Sequence, residues 1–259
     1  MVFSSVAMPM SALPWDFWVM LLVLATVVPW RGLVRVRMLL VRPQLSSAER
    51  ISLYGSTIAF QWLAAGIIAW RAAARGLTPA ALGLSSGRST LAIVLGVAMA
   101  AALTLMQIAS LRQLSRLPVE KRGHLYQVAA KLMPQNSSEA LVFVALVGTV
   151  SLCEELMFRG FAFAAFRQLS GGSAAVAVMA SSALFAVGHV YQGRRGVANT
   201  FVLGLLFAGA RSWSGSLVPP IMAHLAVDLA AGLVGRQAAT GGRSASQTRP
   251  TILYMVNSV

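Results

Sequence analysis

Acidic side chains are scarce in this sequence: seven Asp and Glu stand against 21 Lys and Arg among 259 residues, a formal net charge of +14. Charged residues of both signs make up only 11% of the chain and apolar residues 57%, whereas a soluble globular domain is roughly one quarter charged. Composition therefore excludes an ordinary water-soluble domain and makes lipid the expected solvent. Cys153 is the only cysteine, which rules out an intramolecular disulfide framework and a cysteine-based zinc site. The first thirteen residues hold no Lys or Arg. The basic leader of a cleaved signal peptide is thus missing, and the apolar run that follows reads as a first membrane span.

What is abundant is apolar sequence of membrane-crossing length. Stretches at 14–30, 52–70, 90–110, 139–166, 174–191, 197–210 and 217–235 predict an all-α, polytopic transmembrane helical bundle of about seven spans, within a range of six to eight because the sixth is short. The basic residues lie between these stretches and form no single patch, which points to a membrane partner and no nucleic acid. With the N terminus outside, alternation puts the basic groups around 31–50, 112–131, 194–195 and 236–249 in the cytoplasm. It leaves Arg71, Arg75, Arg88, Arg167 and Arg211 on the other side, in keeping with the positive-inside rule. Leu111 to Gln135 reads as an amphipathic cytoplasmic segment or a solvated connecting loop. Three regions follow: N-terminal helices with that segment over 1–137, a core over 138–236, and a flexible polar tail over 237–259 rich in Gly, Ser and Arg.

The few ionisable groups inside apolar sequence carry the functional signal, because a charge at membrane depth costs several kcal/mol on insertion scales. Asp16, Glu49, Glu120 and Glu139 fall at span edges or in loops where water is expected to reach them, and His124 belongs to a basic loop. Glu154, Glu155, Arg159, His189, His224 and Asp228 remain, all in the C-terminal half, which predicts one shared polar site. Glu155 and Arg159 are spaced i, i+4 for an ion pair, a structural role. Glu154 is turned about 100° from Glu155 on a helix and has no nearby cation in sequence, which favours a chemical role. Phe185 and His189 share one helix face, a pattern as common in packed cores as in active sites. His224 and Asp228 are again i, i+4 and converge on one point, or form a helix pair with no substrate.

Two carboxylates and two imidazoles suffice for two chemistries. A glutamate in a desolvated pocket can act with a histidine on water while the other groups stabilise an oxyanion. Alternatively Glu154, His189, His224 and Asp228 hold a divalent metal such as zinc that activates the water. The helix-borne zinc string His-Glu-x-x-His is absent, which tips the reading toward catalysis with no metal required.

The strings Glu154-Glu155-x-x-x-Arg159, Phe185-x-x-x-His189 and His224-x-x-x-Asp228 together resemble the three ordered motifs of the CAAX protease and bacteriocin-processing family of intramembrane proteases, which includes the type II CAAX prenyl endopeptidases. The resemblance covers about 139–235. It implies a helical bundle whose cavity opens to the cytoplasm and an endopeptidase that cuts a membrane-anchored peptide or protein substrate. It assigns Glu154 with His189 to water activation, His224 with Asp228 to the oxyanion, and Glu155, Arg159 and Phe185 to organising the site. Bacterial members imply a place in the inner membrane. One departure stands out: prenyl-processing enzymes have Asn at the last motif position. An ionised Asp228 accepts hydrogen bonds but donates none, so it must be protonated, orient His224 or bind a metal.

Two other function classes use the same residues. A non-proteolytic scaffold or immunity protein would keep the charges for assembly alone. A proton or ion transporter would use them as a relay, but its usual paired, interrupted helices in two matching halves are not evident.

Overall fold

The computed structural model describes residues 13–85, 88–118 and 121–247, with the side chains of 124, 125 and 233–247 outside that description. Glu120, the His124 side chain and the last part of the tail, 248–259, accordingly lie outside the described residues. The helices are α1 (Trp15–Val41), α2 (Ser47–Ala74), α3 (Ser89–Ser115), α4 (Gly123–Leu132), α5 (Ser137–Glu154), a π-helical segment Glu155–Ala162, α6 (Phe163–Leu169), α7 (Ala174–Gly188), a 3-10 turn Val190–Gln192, α8 (Gly193–Ser214) and α9 (Val218–Gln247). No strand occurs among the described residues.

Each of the seven apolar stretches is helical. Four helices are long and apolar enough to cross a membrane alone, including Ser137–Leu169 taken as one, and α7 with α8 makes a fifth if that pair is a single span. The hydropathy count is higher because it took the two arms of this pair, bent by 60°, as separate crossings and the shorter apolar helix Val218–Gly232 as another. Large apolar side chains such as Leu63, Leu105 and Leu141 are exposed all round the bundle, as expected of an integral membrane protein whose outer surface meets lipid. Trp15, Trp18, Trp70 and Trp213 are exposed at one end, the placement of an interfacial aromatic belt.

The π-helical segment is the centre of the bundle. Met157, Phe158, Phe161 and Ala162 pack against Phe17, Leu21 and Leu24 of α1, Ala65 and Ile68 of α2, and Leu184 and Phe185 of α7. On the other flank α3 lies along α8 and α9, where Leu103, Phe207 and Ala223 form a smaller cluster. α9 continues to Gln247, so the first part of the segment read as tail is helical, Ala238, Ala239 and the preceding Gln237 being good helix formers.

Several polar groups expected at water-accessible positions are buried instead. Glu139 is fully buried and accepts from Arg50 Nε at 2.8 Å, Asn136 Nδ2 at 2.9 Å and the Gln135 amide at 2.7 Å. Asp16 is buried between Arg71 and Arg75, at 2.6 Å and 3.1 Å. Glu49 alone of the expected edge group within the described residues is not buried, and it is half-exposed in a capping box with Ser46. Isolated charges near span ends recruit partners from distant helices, since an unpaired carboxylate in a low-dielectric setting is costly. The basic segment before α5 is also folded onto the bundle. Val128 of α4 packs on Leu39 and Leu45, and the Lys131 ammonium donates to the carbonyls of Leu39 at 2.7 Å and Arg42 at 2.6 Å.

Arg211, read in sequence as an external loop residue, is buried. Its Nε donates to the Arg159 carbonyl at 3.0 Å and its Nη2 to the Ala81 carbonyl, tying α8 to the π-helical segment and to the turn after α2. Replacing it with Met strands a buried carbonyl, a loss of about 1–3 kcal/mol. Arg211→Met is expected to unfold at correspondingly lower denaturant in micelles, and an unchanged midpoint would deny it this tethering role.

Candidate active site

Glu154 is the last residue of α5 and Glu155 the first of the π-helical segment, so the change of helix type falls between the two carboxylates. They face different neighbours, as the sequence spacing predicts. Glu155 Oε1 accepts from Arg159 Nη1 at 3.1 Å, with both side chains fully buried, and it also meets His224 Nδ1 at 2.9 Å. Since a carboxylate accepts, His224 Nδ1 is the donor in that contact. Arg159 is further held by aromatic rings, its guanidinium carbon lying 3.9 Å from the Phe185 centroid and 5.3 Å from that of Phe207, a cation–π arrangement.

Glu154 has no cationic partner among the described residues. Its Oε1 accepts from Gln61 Nε2 of α2 at 2.9 Å, while Oε2 has no protein hydrogen bond. Gln61 lies 93 positions away in sequence and belongs to no motif. The only signal for it in the sequence is an isolated amide within a long apolar stretch, a side chain that must find a polar partner at membrane depth.

His189 caps the C terminus of α7. Its Nδ1 lies 2.8 Å from the Phe185 carbonyl, which can only accept, so the proton is on Nδ1. In the neutral ring Nε2 is then the free lone pair. The i, i+4 spacing of Phe185 and His189 delivers this contact, with ring centroids 4.5 Å apart. The chain can break helix here because it lines a cavity, where irregular backbone is tolerated at membrane depth. Gly193 supplies the turn with φ of 76°, a left-handed conformation that favours glycine.

Glu154, Gln61, His189 and Tyr191 line one cavity of ≈ 340 Å³, together with Arg31 and Arg35 of α1, Val128 and Leu132 of α4, and Met133 just after it. It leads from the basic end of the bundle down to the carboxylate. His224 and Asp228 do not line it. They stand beside it, His224 Nε2 lying 3.6 Å from Asp228 Oδ2, beyond hydrogen-bond length, with the His224 ring 6.4 Å from Phe185. Phe185 thus touches both histidines and Arg159, and organises the cluster by packing.

A zinc site needs three or four donors within about 2.0–2.3 Å of one point. No three His, Cys, Asp or Glu among the described residues are grouped to hold a metal ion, while the Nδ1 contacts of His189 and His224 leave both Nε2 atoms open. The chemical steps below are written without a metal.

Gly32 sets the position of the wall beside His189. A Cβ at Gly32 would lie 2.6 Å from Tyr191 Cδ1, closer than packed carbons approach, and Tyr191 stacks near His189 with centroids 5.7 Å apart. Gly32→Ala is expected to displace this ring and to lower hydrolysis of a peptide substrate by about tenfold. Adding Tyr191→Ala should recover most of the loss, and a double variant no better than the single one would remove the steric explanation.

Residues 136–230 match the family model described as type II CAAX prenyl endopeptidase Rce1-like. The matched stretch contains all three motifs, whereas Gln61, Arg31 and Arg35 lie outside it. No curated protein and no solved structure matches the chain.

Proposed function

We propose that this chain, whose residues 136–230 match the Rce1-like type II CAAX prenyl endopeptidase family model, is an intramembrane endopeptidase that hydrolyses a peptide bond of a membrane-associated protein or peptide. The observation that carries this reading is the division of labour between adjacent glutamates. Glu155 is neutralised by Arg159 and His224, whereas Glu154 keeps an oxygen without a protein hydrogen bond and lines the same cavity as His189. A carboxylate oxygen shielded from solvent and without a cation, in a cavity that an imidazole also lines, is suited to general-base work.

In the proposed sequence Glu154 takes a proton from a water that His189 Nε2 also orients. The resulting hydroxide adds to the carbonyl carbon and its oxygen becomes the oxyanion. Return of the proton from Glu154 to the amide nitrogen lets the C–N bond break, giving a carboxylate and an amine. Gln61 holds Glu154 in place. His224, set between the carboxylates of Glu155 and Asp228, acts in this scheme as the imidazolium, donating Nδ1–H to Glu155 and offering Nε2–H to the oxyanion. Asp228 would repel an oxyanion and acts by orienting His224. The cavity mouth, at the end rich in Arg and Lys, is assigned to the cytoplasmic face of a bacterial inner membrane.

The test is cleavage of a membrane-peptide library by the purified protein in detergent, followed by mass spectrometry with and without a zinc chelator. New products that vanish in Glu154→Gln and in His189→Ala and persist with chelator are expected. Products that vanish with chelator would replace the metal-free step. Identical profiles for wild type and both variants would sink proteolysis and leave the scaffold role.

A further inference from the structure

The cavity has chemically opposite ends. Glu154 stands at the deep end, and toward α4 the wall carries Arg31 and Arg35, four residues apart on α1. Like charges at this spacing repel, so the pair is unfavourable without a counter-charge. Four other arginines of the bundle have one: Arg50 pairs with Glu139, Arg71 and Arg75 with Asp16, and Arg159 with Glu155, while the buried Arg211 is held instead by the Arg159 and Ala81 carbonyls. Neither Arg31 nor Arg35 pairs with a carboxylate among the described residues. Arg31 donates to the Ser56 carbonyl at 3.3 Å and lies over the Phe60 ring at 4.2 Å. Arg35 donates to Ser56 Oγ at 2.9 Å and to Thr57 Oγ1. These bonds use a minority of the N–H groups that two guanidiniums carry.

We propose that Arg31 and Arg35 form an anion-binding subsite that holds a carboxylate of the peptide substrate, an acidic side chain or chain end, about two residues from the bond that is cut. The proposal rests on the hydrolase reading for the identity of the ligand as a substrate. An arginine near a span end commonly extends its head outward to the lipid headgroups. Here both heads turn back onto α2 and line the cavity, which favours a ligand inside it. Stacking on Phe60 fixes one guanidinium plane, and planar forks suit carboxylates.

Spacing along α2 gives the reach. Thr57, which holds Arg35, precedes Gln61 by one turn, about 6 Å along the axis, and Gln61 touches Glu154. Two extended residues at roughly 3.3 Å each cover that interval. The opposed charges also orient the chain: Glu154 repels the carboxylate and the arginines attract it, so the peptide lies with its anionic group toward the mouth.

The experiment captures peptides on Glu154→Gln protein in nanodiscs of zwitterionic phosphatidylcholine, so that binding is read without cleavage. The probes are two pools of N-palmitoylated peptides. Each member of one carries a single carboxylate, at the chain end or scanned inward, and the other pool carries the matching carboxamides. Retention of the carboxylate pool at least about tenfold above the amide pool is expected. Arg31→Gln with Arg35→Gln should abolish the preference at unchanged melting temperature, while Arg37→Gln, an exposed neighbour outside the cavity wall, should preserve it. Equal retention of the pools, no retention of either, or a preference that survives the double replacement overturns the subsite. Loss in the double variant of co-purifying phosphatidylglycerol, with no difference between the pools, overturns it in favour of a lipid headgroup. Carboxylate-selective capture by Glu154→Gln with no cutting by wild type would count against the hydrolase alone.

Discussion

Glu154→Gln is expected to lower kcat/KM for peptide hydrolysis by about 10² to 10⁴, the usual contribution of a positioned acid–base group, with thermal stability unchanged in micelles. The replacement has nearly the same shape. Its side-chain carbonyl still accepts from Gln61 Nε2, which now donates to Glu154 Oε1 at 2.9 Å. No cation is left unpaired, since Glu154 makes no ion pair among the described residues. What disappears is the ability to take a proton from water. A structural carboxylate would behave in the opposite way, with activity falling only as far as stability does. Activity within tenfold of wild type at an unchanged melting temperature would remove Glu154 as the base. The loss should fall on kcat, because a peptide bound along the Arg31 and Arg35 wall keeps its contacts.

The contacts that follow helix periodicity were readable from the sequence. Glu155 with Arg159, Phe185 with His189, and His224 with Asp228 are each four residues apart and meet in space. The turn between Glu154 and Glu155 separates their partners as expected. Groups that depend on pairing between distant helices were not readable. Gln61 reaches Glu154, Arg50 reaches Glu139, and Arg211 reaches the Arg159 carbonyl across separations of 93, 89 and 52 positions, and periodicity carries no information about such pairs. Positive-inside counting treats every basic residue as solvated, so it placed the buried Arg50 and Arg211 in loops. Helix length misled in the same direction. α1 continues past the apolar stretch to Val41, so Arg31 and Arg35 stand on a helix wall inside a cavity. The π-helical segment has no recognised sequence signature, yet it sits between the two glutamates and the core aromatics, and such segments concentrate at functional sites.

Glu155→Gln is expected to destabilise the bundle far more than Glu154→Gln does, by about 3–5 kcal/mol, the range for removing one partner of a buried ion pair. Arg159 is fully buried, and among the described residues Glu155 is its only salt-bridge partner. Two of its nitrogens already lack protein hydrogen bonds, leaving Phe185 and Phe207 as its remaining compensation. The loss reaches the chemistry as well, because Glu155 also holds His224 Nδ1 at 2.9 Å. Replacing both members, with Glu155→Gln and Arg159→Met together, removes the stranded charge and fills similar volume. Stability should return most of the way, since buried pairs replaced whole by packed side chains cost little. Hydrolysis should not return, because the neutral amide no longer carries the charge that fixes His224 as a donor. Urea unfolding in micelles and product release measured on the same preparations separate the two effects. A double variant as unstable as Glu155→Gln would mean that the glutamate stabilises the fold through something other than Arg159. A double variant recovered in both respects would take His224 out of the oxyanion role.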